Sequence, residues 1–311
     1  MKTYFGSNLI ESDFPSRTVV AIGNFDGVHL GHQAILRNAH TLAKSINCKV
    51  VCLTFHPHPI AYFRPEIPMK LLMTYEEKRK TLAVFGVDFC VEENFDSAFS
   101  QISAHDFFFE ILQKRLHSQA LVVGSDFAFG KKREGTVQRL KSFCDESGMS
   151  LQVVNKVQID GVEVSSSRIR AALAEGDVER AAKMLGRPFS YSGEVIHGDK
   201  RGRTIGFPTA NMKCEEKFPL KPGVYATSVF WREKEYLSVT NIGTRPTFES
   251  SELKIETHIL EHTFELYGEV LEVRFHFFLR SEKKFSSVDE LKAQITTDTI
   301  LAKMQLRSRN F

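Results

Sequence analysis

Val19-Val20-Ala21-Ile22-Gly23-Asn24-Phe25-Asp26-Gly27-Val28-His29-Leu30-Gly31-His32 decides how the first half of the chain folds. A short apolar run ends in glycine, an Asp-Gly turn follows, and a helical pattern begins at Leu30. Strand, turn and helix in that order open an α/β fold. His29 and His32 stand three residues apart and share one face of the helix start. Unpaired backbone N–H groups and the helix dipole attract anions at that end. The pattern predicts a site for the phosphates of ATP, with imidazoles donating hydrogen bonds to charge that grows as a phosphate is attacked. A pair of capping or surface histidines is the plainer account of the same residues. Zinc fits less well, because His-x-x-His gives two ligands and no Glu or Cys stands nearby at ligand spacing.

Working outward, strands are expected at 18–23, 49–55, 87–92, 120–124 and 150–154. Helices are expected at 30–45, 75–85, 104–116 and 136–146. The strand segments are short apolar runs rather than alternating ones, as in a parallel sheet covered on both faces. A Rossmann-like, doubly wound domain follows, with ligands at the carboxyl ends of its strands. A helical pair at 167–174 and 177–185 ends in Gly176 and Gly186. Beyond Gly186-Arg187-Pro188 the texture changes to alternating segments at 190–197, 224–231, 236–242, 255–260 and 271–279. These predict a small antiparallel β-barrel, closed by an amphipathic helix at 288–306. Phe278 fits either core or rim. The fold class is therefore α/β plus all-β, with domains at 1–186 and 187–311.

The 311 residues suffice for two cores, and the composition is that of a globular protein at 42% hydrophobic and 25% charged. The net charge of +3 suits anionic small molecules and nucleic acid alike. Five cysteines, without a Cys-x-x-Cys pair, fall mostly in apolar segments and point to buried thiols in a reducing compartment. No basic segment followed by an apolar one opens the chain, and no apolar run reaches membrane-spanning length. A cytoplasmic protein without a membrane role is expected.

Three more clusters fall at strand ends of the first half. Thr54-Phe55-His56-Pro57-His58-Pro59 follows the second strand, with prolines fixing the exit of the chain. Gly124-Ser125-Asp126-Phe127-Ala128-Phe129-Gly130 leads into Lys131-Lys132-Arg133, which reads as a solvated loop or a mobile cationic lid. Ser165-Ser166-Ser167-Arg168 exceeds what one N-cap needs and forms a second anion cradle. Two phosphate cradles without a Walker A sequence argue for nucleotidyl transfer, in which the protein positions reactants and stabilises charge. His29 and His32 would hold the α-phosphate region of ATP; Ser165, Ser166 and Arg168 would hold the leaving pyrophosphate.

In the second half, the stretch from Gly198 to Asn211 is the longest signal. Gly198, Gly202 and Gly206 admit close backbone approach, and Lys200, Arg201 and Arg203 bring positive charge. Thr209 offers a hydroxyl suited to Mg²⁺, with the Asn211 amide oxygen beside it. A basic hairpin loop is the plainer account. In the alternating segment around Glu256, Ile255, Thr257 and Ile259 share one face, while Glu256, His258 and Leu260 share the other. A carboxylate pointing into the barrel mouth could act as general base.

The motifs at 23–32, 54–59, 124–130 and 165–170 resemble the FMN adenylyltransferase module of bacterial bifunctional riboflavin kinase/FAD synthetases. Ser167 departs from the expected threonine but keeps the hydroxyl. Gly-Arg-x-x-Gly-Phe-Pro-Thr-Ala-Asn (202–211), Pro-Gly-Val-Tyr (222–225), Asn-Ile-Gly-x-Arg-Pro-Thr-Phe (241–248), Glu-Thr-His-Ile (256–259) and Leu-Arg-x-Glu-x-Lys-Phe (279–285) resemble its riboflavin kinase module. The resemblance implies riboflavin, FMN, ATP and FAD as ligands, with Mg²⁺ accompanying ATP. It implies nucleotide contacts from Asn24, Phe25, Gly31, Asp126, Ser165, Ser166, Ser167 and Arg168, and from Gly202, Arg203, Gly206, Pro208 and Asn211. Thr209 and Asn211 would hold MgATP, and Glu256 would deprotonate the riboflavin 5′-hydroxyl. It implies no nucleic-acid partner, and a monomer or weak homo-oligomer is expected. An adenylyltransferase with another acceptor, and a nucleic-acid-binding module using 131–133 and 200–203, remain as alternatives from the residues alone.

Overall fold

The computed structural model describes residues 1–198, 201–213, 218–246, 251–262 and 264–308. The chain divides into two compact units, Met1–Ser166 and Ser167–Phe311. The first holds a six-stranded, wholly parallel sheet: β1 (Lys2–Tyr4), β2 (Thr18–Ile22), β3 (Lys49–His56), β4 (Phe89–Asn94), β5 (Ser118–Gly124) and β6 (Ser150–Val154). The strand order is β1-β4-β3-β2-β5-β6. Connections run one way from β2 toward β3 and β4, and the other way toward β5 and β6. The reversal lies between β2 and β5, and in such sheets ligands bind at the carboxyl ends beside it.

Period-two alternation sorts the strands' side chains onto two cores. Val19, Ala21, Cys52, Ala120 and Val122 pack with Leu36 and Ala39 of α1 (Leu30–Ser45). Val20, Ile22, Leu53, Leu121 and Val123 pack on the other face with Phe108 and Leu112. Both faces are dry, so an uninterrupted apolar run is what each strand needs.

The other helices of this unit are α2 (Pro59–Phe63), α3 (Tyr75–Val84), α4 (Ser97–Ser100), α5 (Ala104–Asp106) and α6 (Val137–Ser147). The expected helix at 104–116 is one α-helical turn that continues as a π-helix over Phe107–Arg115, where the Leu116 N–H donates to the Ile111 carbonyl. The third expected strand starts two residues later than 87, because the Val87 N–H donates to Leu82 O at the end of α3. Edge strand β1 was not expected; three residues with two polar side chains leave no run to read. A short hairpin, β7 (Gln158–Ile159) and β8 (Val162–Glu163), precedes the second unit.

In the second unit, α7 (Ser166–Glu175, beginning at the division) and α8 (Val178–Leu185) lead into the barrel. Its strands are β9 (Phe189–Ile196), β10 (Ala210–Lys213), β11 (Gly223–Trp231), β12 (Lys234–Pro246), β13 (Ser251–Ile259) and β14 (Val270–Arg280), with α9 (Arg201–Thr204) between β9 and β10. Closure follows the order β10-β13-β12-β11-β14-β9, each pair antiparallel, so no edge is left unpaired. Buried hydroxyls link three strands: Thr227 bonds Ser238 at 2.7 Å and Thr240 at 2.8 Å, and Thr240 bonds Thr257 at 2.9 Å. Each satisfies the next, which removes the cost of burying them. On the opposite face, Val224, Ala226, Val239 and Leu260 pack against Ala302 and Leu306 of α10 (Val288–Arg307). Phe278 sits at the rim, half-buried, edge-on to Tyr225 and beneath the Lys221 ammonium.

Cys52, Cys90 and Cys144 are buried free thiols and Cys48 is half-buried, while Cys214 lies outside the described residues. Among the described residues no helix is long and apolar enough to cross a membrane.

Candidate active sites

In the first unit the loop after β2 is held under strain. Phe25, Gly27 and Val28 have φ of 51°, 80° and 39°, a region that a β-branched residue such as Val28 strongly disfavours. The Phe25 and Val28 side chains are both fully buried in the α1-facing core, which holds the backbone there. His29 then caps α1: its Nδ1 accepts the His32 N–H at 3.3 Å. An accepting Nδ1 carries no proton, so in the neutral ring the hydrogen sits on Nε2. A Cβ at Gly31 would come within 3.1 Å of that imidazole, which explains the glycine.

The His29 and His32 rings stack at 3.6 Å. Burial foremost, then the charges of His29, Lys78 and His58, pushes the His32 imidazole well below the usual histidine range. His32 Nδ1 is buried and has no partner among the described residues. His32 is therefore held neutral at a helix N-terminus where the cap has already taken one of the N–H groups.

Ser166 joins the second predicted cradle to this loop, since its hydroxyl donates to the Asp26 carbonyl at 2.9 Å. The buried Asp26 carboxylate accepts the Leu72 N–H at 2.9 Å. Ser165 is half-buried, and Ser167 and Arg168 are exposed in the first turn of α7. Asn24 takes part through its carbonyl, which accepts from the Thr54 hydroxyl at 3.1 Å. Asp126 is exposed just past the end of β5, the strand beside the reversal, 3.7 Å from Lys156. The 131–133 turn is anchored at its base: the Lys131 N–H donates to Ile102 O, and Glu134 accepts the Ala104 N–H at 2.7 Å. Its three cationic side chains are not buried.

In the second unit the unexpected strand β10 organises the site. Asn211 lies opposite Glu256, which in turn lies opposite Asn241. Directly opposed residues share a sheet face, so these three form one row on the face away from the buried Thr257. Glu256 therefore stands on the outer face of the barrel wall beside Asn211, rather than pointing into the barrel interior. A cavity lined by Gly198, Gly202, Pro208, Thr209, Asn211 and Thr257 adjoins it; Glu256 and Gly206 do not line it. A Cβ at Gly198 would collide with the Asn211 amide, and one at Gly202 with the Phe207 carbonyl. Gly206 has φ 91°, a turn that favours glycine. The Asn211 amide donates to the Thr209 carbonyl at 3.4 Å, and Thr209 is exposed. Lys200 and residues 247–248 of the expected motifs lie outside the described residues, and of Arg201 and Arg203 only the helical backbone is described.

Comparison with known proteins assigns both halves to families. Residues 11–168 match the family model for FAD synthetase, and residues 185–306 match that for riboflavin kinase. A bifunctional riboflavin kinase/FMN adenylyltransferase of Escherichia coli K12 is 39% identical over 286 residues, covering 92% of this chain and 91% of its own. The chain belongs to the bifunctional riboflavin kinase/FMN adenylyltransferase family. The Listeria monocytogenes enzyme of the same name is 38% identical and covers 96% of both chains. A solved structure named as a macrolide-efflux protein from Streptococcus pneumoniae superposes with a TM-score of 0.88 at 30% identity, covering 97% of this chain and 98% of its own.

Two residues near these sites escaped the sequence reading. His258 Nδ1 donates to the Pro208 carbonyl at 2.7 Å and pins the segment before Thr209. Lys78 lies in the charged run Tyr75-Glu76-Glu77-Lys78-Arg79-Lys80, which looks solvated, yet it is 4% exposed. A signal existed: Lys78 and Leu82 are four apart on α3 and share its buried face.

Proposed function

We propose that the chain phosphorylates riboflavin to FMN and then adenylylates FMN to FAD with release of pyrophosphate. Domain 1–186 carries the second reaction and domain 187–311 the first. The observation that carries the reading is the bond from Ser166 to Asp26, which ties two phosphate-binding motifs into one locus beside the sheet's reversal point. In adenylyl transfer an FMN phosphate oxygen bonds to the α-phosphorus of ATP while the bond to the pyrophosphate oxygen breaks. No proton must leave a nucleophile, so positioning and charge stabilisation suffice. His29 and His32, with the Gly31 backbone, take the α-phosphate region. Ser165, Ser167 and Arg168 take the pyrophosphate, while Ser166 braces the loop. Asn24, Phe25 and Asp126 shape the nucleotide pocket.

In the kinase reaction Glu256 takes the proton of the riboflavin 5′-hydroxyl as its oxygen attacks the γ-phosphorus, and ADP departs. Asn211 and Asn241 flank the carboxylate across the strands, and Asn211 also reaches the cavity that Thr209 and Pro208 line. Gly202, Arg203 and Gly206 form the turn around the phosphates. The hydroxyl of Thr209 and the amide oxygen of Asn211 are hard oxygen donors that fit Mg²⁺ arriving with ATP, an ion that keeps few protein ligands and neutralises phosphate charge.

The chain works in the cytoplasm on small molecules, without nucleic acid or membrane, as a monomer or weak homo-oligomer. The efflux function named for the Streptococcus pneumoniae structure is not carried over, because the residues here serve phosphate chemistry. Incubation with riboflavin, ATP and Mg²⁺, with flavins separated by chromatography, tests the reading. FMN should form from riboflavin, and FAD should form from FMN supplied in a parallel incubation; absence of either product overturns the corresponding half.

A further inference from the structure

The loop that carries the histidine pair is strained, and hydrogen bonds from outside it add to the burial of Phe25 and Val28 in holding it. α3 and the segment just before it supply three separate fastenings to the loops of the nucleotide site. At its entry, the Leu72 N–H donates to the Asp26 carboxylate. One turn on, the Tyr75 hydroxyl accepts the His58 N–H at 2.8 Å. Deepest lies Lys78, whose Nζ donates to the Thr54 hydroxyl at 3.0 Å and reaches the Asn24 carbonyl at 3.5 Å. Thr54 passes its own proton to that same carbonyl. Lysine, threonine and carbonyl thus clasp the end of β3 to the loop leaving β2.

We propose that Lys78 is a positioning residue of the adenylyl-transfer site, its buried ammonium holding the Asn24–Val28 loop, and through it the His29–His32 pair, in register with the triphosphate. The role rests on reading the first unit as the FMN adenylyltransferase. A buried lysine with only packing to offer would be an expensive choice on a helix face otherwise suited to leucine. Its hydrogen bonds go to two of the sequence motifs that shape the site, not to a remote part of the core.

Electrostatics point the same way. Burial pulls the Lys78 ammonium down from the usual lysine range, and Glu92, Cys52, Cys90 and Asp26 oppose that pull. Glu92 is itself paired with Arg79 at 3.2 Å. The groups facing His32 are His29, Lys78 and His58, and each disfavours its protonation. Protonating His29 would also cost its cap bond, because Nδ1 could no longer accept. A cation at Lys78 therefore helps keep His32 neutral.

Lys78→Met, Lys78→Arg and Thr54→Val in the full chain test the role. Rates of FMN-to-FAD conversion are measured across pH 5.5–8.5, with riboflavin phosphorylation by the same samples as the control for intact protein. Histidine titration is followed by NMR in the absence of substrates. Lys78→Met should lower the FAD-forming kcat about 10- to 100-fold, a loss typical of small misplacement, with little change in KM for FMN. Its acid limb and its histidine titration should both move to higher pH, since the opposing cation is gone. Arg should restore part of the rate and most of the pH profile. Thr54→Val, which keeps the ammonium but breaks the clasp, should lose rate without moving the limb. Should the methionine variant lose the fold of the first unit, the arginine and valine variants decide. Wild-type rates and an unmoved limb in all variants that fold overturn the role. A wild-type chain that makes no FAD overturns the functional reading itself.

Discussion

The His29 imidazole caps α1 through its Nδ1, and Gly31 makes room for that ring. Gly31→Ala sets two local terms against each other. Alanine gains about 1 kcal/mol of helix propensity. Displacing the cap costs about 1 kcal/mol. Thermal stability should therefore stay near wild type while FAD formation falls about tenfold; unchanged FAD formation would show that the cap geometry is irrelevant to transfer. His32 gives a second prediction. Its pKa is depressed in the folded chain, so the unfolded chain binds more protons between the folded value and about 6.5. The stability linked to His32 is complete above about pH 6.5 and drains away as the pH falls toward the folded value. The melting temperature of the first unit should drop on acidification from pH 7 to pH 5, and His32→Asn should flatten that slope.

Among the elements, α1, β2, β3, β5, β6 and α10 were legible because each carries an unbroken period of its own. β10 was not, since four residues between a proline turn and a charged segment are too short a run for their alternation to stand out, and its partners supply the hydrogen bonds that make it a strand. Lys78 illustrates the opposite failure. Its helix was expected, but charge on the neighbouring residues masked the buried face that Leu82 marks. At the other end of the chain α10 is fastened to β14 by Arg280, whose Nη2 donates to the buried Asp298 carboxylate at 2.7 Å. Removing one partner strands a buried charge, so Arg280→Met should destabilise the barrel unit by about 3 kcal/mol in chemical denaturation. Arg280→Met with Asp298→Leu should recover most of the loss; a double variant as weak as the single would contradict the account.

For the whole molecule, separate family matches at residues 11–168 and 185–306 predict that the activities can be lost one at a time. Glu256→Ala should stop FMN formation yet still convert supplied FMN to FAD. His29→Ala with His32→Ala should accumulate FMN from riboflavin and make no FAD. Flavin chromatography on each variant reads both outcomes. Retained phosphorylation in the first would remove Glu256 as the base, and undiminished FAD in the second would remove the histidines from the transfer site.

Taken alone, the sequence determined the two architectures, the histidine-bearing helix start and the order of the motifs, because apolar periodicity and turn chemistry are local properties of the chain. Tertiary structure decided which motifs meet. Ser166 reaches the Asp26 carbonyl across 140 residues of chain. Glu256 finds Asn211 and Asn241 only through barrel register, and Lys78 becomes buried only when α3 packs on the sheet. Those juxtapositions depend on which faces close on one another, a non-local outcome of packing that no single stretch encodes. His29 and His32 could be recognised from fourteen residues. The neutrality of His32, the cap at His29 and the lysine behind them required the fold.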